Sequence, residues 1–437
     1  MARKIKRSKL RRSRAVSPRG RLRARARVKI RRRRLFLARR RRFKRAPIPI
    51  RRKPIPPSAT KEPPAPPPKP APAPVPHKPK RQVLLCPGPV NTSPAVHAAL
   101  GGPDLCHREP EFKDLLQTVR AKLVHSLGMD HRYTAVLFGG SGTAALEAAV
   151  MSCRDGAKKM LVINNGVYGS RIAQLARIHE IPLVEIRSPL GERPELSRVA
   201  AALKRDAQIQ TVAMVHHETS TGMLNPAEEV AGLAKKFRRR FLVDAISSLG
   251  AERLDLAKQG VGLCVGSAGK CFHGAPGLSF VLLSAEEAAR AAKVKPRSLY
   301  LDLGSQLKAQ DSGEPAFTPA VPLVNAFHAA LDELGREGLP KRIARYRERA
   351  VFLRGGFKKL GLKFLLDEKL LSNTLTSLLV PEGKTYAQIH DSLKKAGYVI
   401  YAGQSELKGK IIRVAHMGQL LQSDLKGFLK ALQGALA

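Results

Sequence analysis

Lys270 sits between two short apolar runs, in the stretch VGLCVGSAGKCFHGAPGLSFVLL over residues 261–283. Each run has the length and composition of a buried strand. The residues around the lysine are small: Gly266, Ser267, Ala268 and Gly269 before it, Gly274, Ala275 and Pro276 after it. An amine on a turn between core strands can reach a bound molecule. In low-dielectric surroundings it loses its charge readily and can form a Schiff base. A solvated lysine on an ordinary loop is the alternative. Four more segments carry groups that could work with it. Gly139, Gly140, Ser141, Gly142 and Thr143 follow one strand-like run and open a helix-like one. Exposed N–H groups there would hold an anion, although a plain glycine-rich turn has the same composition. Asp244 closes the apolar run Phe241-Leu242-Val243. It could pair with a protonated ring nitrogen or cap the next helix. His216, His217 and Glu218 lead a polar segment ending at Gly222. Adjacent histidines point in different directions and lack the spacing of metal ligands, so no metal is expected. Arg413 lies inside the apolar run Ile411–Ala415 and must be paired if buried, by a substrate carboxylate or by an internal acid.

These residues need a scaffold that brings strand ends together. Between residues 132 and 245, short apolar runs alternate with helix-like stretches: RYTAVLF, MLVINN, PLVEI, TVAMVH and FLVDA. The runs are apolar throughout, as when helices cover both faces of a parallel sheet. The pattern predicts a doubly wound, mostly parallel α/β domain over 81–330, with ligands at the carboxyl ends of its strands. A long helical region follows Pro322, with a break expected at Leu339-Pro340. Further strand and helix runs predict a smaller α/β domain over 331–437.

Residues 1–80 differ in kind. They hold 31 of the 79 Lys and Arg and one acid, Glu62, so they carry +30 of the net +45. Charge this dense does not bury a core, and the fifteen prolines between 47 and 79 favour an extended spacer, so a disordered tail is expected. Such a tail would bind nucleic acid or another polyanion non-specifically; a transit peptide or a mis-assigned start are the other readings. No apolar run approaches the roughly 20 residues that span a bilayer. The basic start is not followed by a secretory apolar stretch. The five scattered cysteines, Cys86, Cys106, Cys153, Cys264 and Cys271, form no CxxC pair and suit reduced thiols in the cytoplasm.

Taken in order, the motifs PGPVNTSP, CHREPEF, GGSGTAALEA, NNGVYGSR, HHETSTGMLNP, VDAISS, SAGKC, FTPAVPLV and IRVAHMG resemble the class V aminotransferases of pyridoxal phosphate fold type I. The resemblance covers about 82–435. Within the class it is strongest to the 2-aminoethylphosphonate–pyruvate transaminases, with the alanine–glyoxylate and serine–pyruvate enzymes next. It implies a homodimer using pyridoxal 5′-phosphate, an amino donor and a keto acid. It further implies that Lys270 carries the cofactor and Asp244 pairs with its ring nitrogen. Ser141, Gly142 and Thr143 would cradle its phosphate, Tyr168 would stack on its ring and Thr219 would lie near its phenolic oxygen. Thr318 would reach the phosphate from the neighbouring subunit, and Arg413 would hold the substrate carboxylate through a bidentate pair. Gly269 departs from the amide residue common at its position, and CHREPEF departs from an acidic sequence. The rival from another class is an inactive domain of this fold carrying a nucleic-acid-binding tail.

Overall fold

The computed structural model describes residues 81–437. The basic and proline-rich tail expected over 1–80 lies outside the described residues. Seven strands form the large sheet: β1 Tyr133–Gly139, β2 Lys159–Asn164, β3 Leu183–Arg187, β4 Ile209–Val215, β5 Arg240–Asp244, β6 Leu263–Ser267 and β7 Leu278–Ser284. Their order is β1-β7-β6-β5-β4-β2-β3. All neighbours are parallel except β7, which runs antiparallel to both β1 and β6.

Successive strand residues point to opposite faces. Both faces here are apolar. In β1, Ala135 and Leu137 enter one core while Val136 and Phe138 enter the other; in β2, Leu161 and Ile163 oppose Met160 and Val162 in the same way. Helices therefore cover both sides. Helix α1, Gly142–Ser152, and helix α2, Val167–Ile178, pack on one face. Helix Pro110–Ser126 and helix α3, Val321–Glu337, pack on the other.

The helical region after Pro322 does break, one residue before the expected place. Gly338 adopts φ +80°, a conformation that favours glycine. Helix α4, Leu339–Lys359, then starts with Pro340 in its first turn, where a missing N–H costs nothing. From α4, Arg342 Nη1 donates to Cys271 O at 3.2 Å, tying this helix to the lysine turn.

The C-terminal portion contains a second sheet of β8 Leu375–Leu379, β9 Tyr401–Ala402 and β10 Ile411–Ala415, in the antiparallel order β8-β10-β9. The first described residues join this portion and not the large sheet: Val83 and Leu84 pair with Tyr398 and Val399, and Arg81 forms a two-point ion pair with Asp424 at 2.8 and 2.9 Å. Entering there, the chain passes Pro87 and Gly88 directly over Lys270. No helix among the described residues is long and apolar enough to cross a membrane.

Candidate active site

Lys270 lies in the connection from β6 to β7. These strands are antiparallel neighbours, yet ten residues join them, enough for a compact projecting turn. Ala268 N donates to Leu278 O and Gly274 N to Ala268 O, closing its base. Gly269 is required by the same closure, because a Cβ there would lie 2.8 Å from Pro276 Cα. This is the physical reason for the departure at that position. The Lys270 amine donates to Pro87 O. A Cβ on Gly88, whose φ is +106°, would fall 2.5 Å from Nζ and 2.8 Å from Cε. Burial lowers the lysine pKa, against the opposing pull of Tyr168, Cys271, Cys86 and Asp244. The surface-loop alternative does not hold.

Asp244 ends β5, next to β6 in the sheet, and is only 3% exposed. Its Oδ1 accepts from Ile246 N at 3.0 Å, and no cation pairs with it among the described residues. Burial pushes its pKa up to about 6, helped by the neighbouring Glu218 and opposed by Ile246 N–H, Arg171 and Lys270. The helix-cap reading fails, because the next helix is Leu256–Gln259 and its cap is Asp255. Asp244 is thus a buried carboxylate whose one hydrogen bond among the described residues comes from Ile246 N–H.

The glycine turn joins β1 to α1. Gly140 has φ +147°, and Ser141 occupies the N-cap position without spending its hydroxyl on a cap. A Cβ on Gly142 would lie 2.7 Å from Ile246 Cδ1, so the turn carrying Asp244 closes over the start of α1. Arg171, three residues after Tyr168 on α2, donates to Thr143 Oγ1 at 3.2 Å and lies 4.7 Å over the Tyr168 ring. Helical i,i+3 spacing in VYGSR puts the two side chains on one face, a signal that sequence reasoning passed over. Pro87 and Ile246 were also missed, having no local pattern.

His216 and His217 point apart, toward Ser248 Oγ and toward Ser247 O with Thr374 Oγ1. Burial lowers their pKa values to about 4 and about 3, so both are neutral. Glu218 does not face them. Its carboxylate accepts the N–H groups of Tyr168 and Gly169 at the start of α2. Thr219 is buried, and its carbonyl accepts from Arg413 Nη1 at 2.9 Å.

Arg413, 3% exposed, has no carboxylate partner among the described residues. Its Nε donates to Ala402 O at 2.8 Å, and its Nη1 also reaches Gln404 Oε1 at 3.3 Å. The internal-acid alternative therefore fails. Nη2 is the nitrogen without a hydrogen bond inside the described residues, so a two-point carboxylate contact requires Gln404 to give way. Thr318 is exposed, in the segment before α3, and makes no hydrogen bond to any of these residues. The single chain brings the other expected site residues together and leaves Thr318 apart.

A half-buried amine of lowered pKa near a buried carboxylate that has no cation partner among the described residues, with helix N–H groups and an arginine edge, is an arrangement for binding a charged ring compound and moving protons at carbon. Residues 96–423 match the family model Aminotransferase class-V. The chain belongs to the class-V aminotransferases. Among relatives of this class-V aminotransferase, the 2-aminoethylphosphonate–pyruvate transaminase of Vibrio cholerae is 38% identical over 360 residues, 81% of this chain and 97% of that one. The enzyme of the same name from Syntrophobacter fumaroxidans is 38% identical over 361 residues, 81% and 96% of the two chains. Among solved structures, the alanine–glyoxylate aminotransferase of Nostoc sp. superposes with a TM-score of 0.78 at 26% identity, covering 83% of this chain and 97% of that one. The fold is that of the fold type I enzymes, and the cofactor of this class-V aminotransferase is pyridoxal 5′-phosphate.

Proposed function

We propose that this enzyme moves the amino group of 2-aminoethylphosphonate to pyruvate, giving phosphonoacetaldehyde and alanine. The observation carrying the reaction type is the Lys270–Asp244 pair, a half-buried amine whose pKa is lowered and a buried carboxyl whose pKa is raised, on adjacent strand ends. The donor rests on the curated relatives at 38% identity. Bound pyridoxal phosphate supplies an aldehyde to capture the amine and a ring that accepts electrons from the donor carbon.

The residues present fit that group. Asp244 offers its unspent lone pairs to a protonated ring nitrogen, and the ionised form is then favoured. The N–H groups opening α1, with Ser141 and Thr143, suit a phosphate, as the glycine turn permits close approach. Tyr168 and Ile246 suit the two faces of a ring, and Thr219 its phenolic oxygen. With the cofactor bound, Lys270 Nζ would be the base that takes the proton from the donor carbon and delivers it to the cofactor's aldehyde carbon, and in the reverse half it would carry a proton back from there to the acceptor carbon. Arg413 Nη2 holds the anionic end of the substrate. The reading extends to a cytoplasmic homodimer in which Thr318 reaches the partner's phosphate site. The five unpaired cysteines and the exposed Leu299 and Tyr300 support it.

A panel of donors assayed against pyruvate tests the donor. Conversion with 2-aminoethylphosphonate should exceed that with serine or alanine by at least about tenfold, the effect of roughly 1.4 kcal/mol. A preference for alanine or serine with glyoxylate would defeat the donor assignment. Arg413→Lys keeps the charge but loses the planar fork. It should weaken the pyruvate half-reaction about 10- to 100-fold, the worth of one charge-assisted hydrogen bond, and the phosphonate half less. Equal small losses in both halves would leave Arg413 a structural residue.

The +30 tail is proposed as a separate electrostatic module. A chain beginning at Lys80, which keeps the Arg81–Asp424 pair, should turn over at the full-length rate. Retention on DNA should be lost in the shorter chain and fall steeply with salt in the longer one. Loss of turnover on removing the tail would make it part of the catalytic unit.

A further inference from the structure

Glu218 is a fully buried acid that the mechanism above does not use. Every direction around its carboxylate is taken by a donor from the protein. Oε2 accepts from Tyr168 N and from Gly169 N, each at 3.1 Å. Oε1 accepts from Ser220 N at 3.3 Å and from the Ser220 hydroxyl. The N-cap residue of α2 is Gly166, which has no side chain to cap with. The cap is supplied from the 217–222 hairpin: Ser220 Oγ accepts from Val167 N at 3.2 Å, and Glu218 accepts from the next two amides. A negative charge at a helix start is also favoured by the helix dipole. Gly166 makes space for it, because a Cβ there would overlap Glu218 Cγ and Cδ.

The same tripeptide, Glu218-Thr219-Ser220, also contacts Arg413. Thr219 O, one residue on, is the acceptor that fixes Arg413 Nη1 at 2.9 Å. Its position is held by the tight hairpin in which Thr221 N and Gly222 N return to Glu218 O. We propose that Glu218 is a positioning residue that locks the Tyr168 end of α2 and the Arg413 anion site to one another. It touches neither reacting atom. A displaced Glu218 would shift the ring-stacking aromatic and the anion-binding arginine together. This inference rests on the cofactor-binding and anion-binding roles proposed above for Tyr168 and Arg413.

Glu218→Gln replaces one acceptor oxygen by an NH₂ group that must face a backbone N–H. We expect the cofactor dissociation constant and the KM for the keto acid to rise together, each about tenfold, the usual consequence of one lost charge-assisted hydrogen bond. The value of kcat should fall less. In the cofactor-free protein, backbone amide exchange of the peptide spanning 166–172 should accelerate. Gly166→Ala pushes the intact carboxylate from the other side and should give the same paired rise. Ser220→Ala, which removes one hydroxyl donor, should give a smaller rise in both and provides the answer if the first variant does not fold. Wild-type cofactor affinity and keto-acid KM in these variants, with only a lower melting temperature, would overturn the proposal. So would a change in one constant without the other. These constants are read with whichever donor the wild-type enzyme accepts, so failure of the phosphonate assignment is a separate result.

Discussion

With Lys270 replaced by alanine, turnover is expected to fall at least about 10⁴-fold, the upper range for a positioned proton-transfer group. Among the described residues no second lysine lies on this turn or is coupled to Asp244. The groups that act on it include Pro87 O, Tyr168, Cys86, Cys271 and Asp244, and Asp244 is the group proposed to hold the ring nitrogen. Lys270→Arg should fail equally, because a guanidinium does not give up its proton in this pH range. Cofactor should still bind to Lys270→Ala through Asp244 and the start of α1, so the loss would appear in kcat. A milder route to the same site is Gly88→Ala. The new Cβ would lie 2.5 Å from Nζ on a backbone with φ +106°, and the amine must move. Turnover above about one hundredth of wild type in Lys270→Ala would place the chemistry elsewhere.

The second large effect is expected at Asp244. Asp244→Asn keeps the shape and the contact to Ile246 N–H but removes the charge that would hold a ring nitrogen protonated. A loss of about 10²–10³ in kcat is expected, the range for deleting one preorganised electrostatic group. A second readout needs no cofactor. The Asp244 carboxyl has its pKa raised to about 6 in the folded protein, against about 3.8 when exposed. Below the lower value it is protonated in both states, and the folded form keeps its full stability. As pH rises through about 6, the folded protein must ionise a buried acid that the unfolded chain ionises freely, so stability is lost. About two pKa units correspond to a loss on the order of 3 kcal/mol between pH 4 and 7. Urea unfolding of cofactor-free wild type and Asp244→Asn over that range should show the loss as a difference between them. Parallel profiles would mean that Asp244 is not the buried acid described.

Much of the large sheet was legible in the residues because its strands are apolar on both faces. TVAMVH and FLVDA could hardly be anything else between helical stretches. Their boundaries moved by one or two residues, since strand ends depend on partners and not on composition. The antiparallel entry of β7 was less visible, as antiparallel and parallel buried strands read alike. Pairing of Val83–Leu84 with Tyr398–Val399 left no signal, because two residues make no period. Lys270 stood out through its small neighbours, but Pro87 lies 183 residues away in sequence. Arg413 was recognisable as an arginine in an apolar strand. That no acid among the described residues meets it, and that Gln404 does, only the packed molecule tells. Glu218 was read beside the histidines it follows, as a possible ligand, whereas its side chain turns to the start of α2.

The most direct test is to reduce the cofactor-loaded enzyme with borohydride, digest it and map the cofactor-modified peptide by mass spectrometry. The modification is predicted on Lys270, in the peptide that includes Cys271 and Phe272, and it should be lost when 2-aminoethylphosphonate is added without keto acid before reduction. Recovery of the cofactor on another lysine, or a label on Lys270 that this donor leaves untouched, would contradict the account.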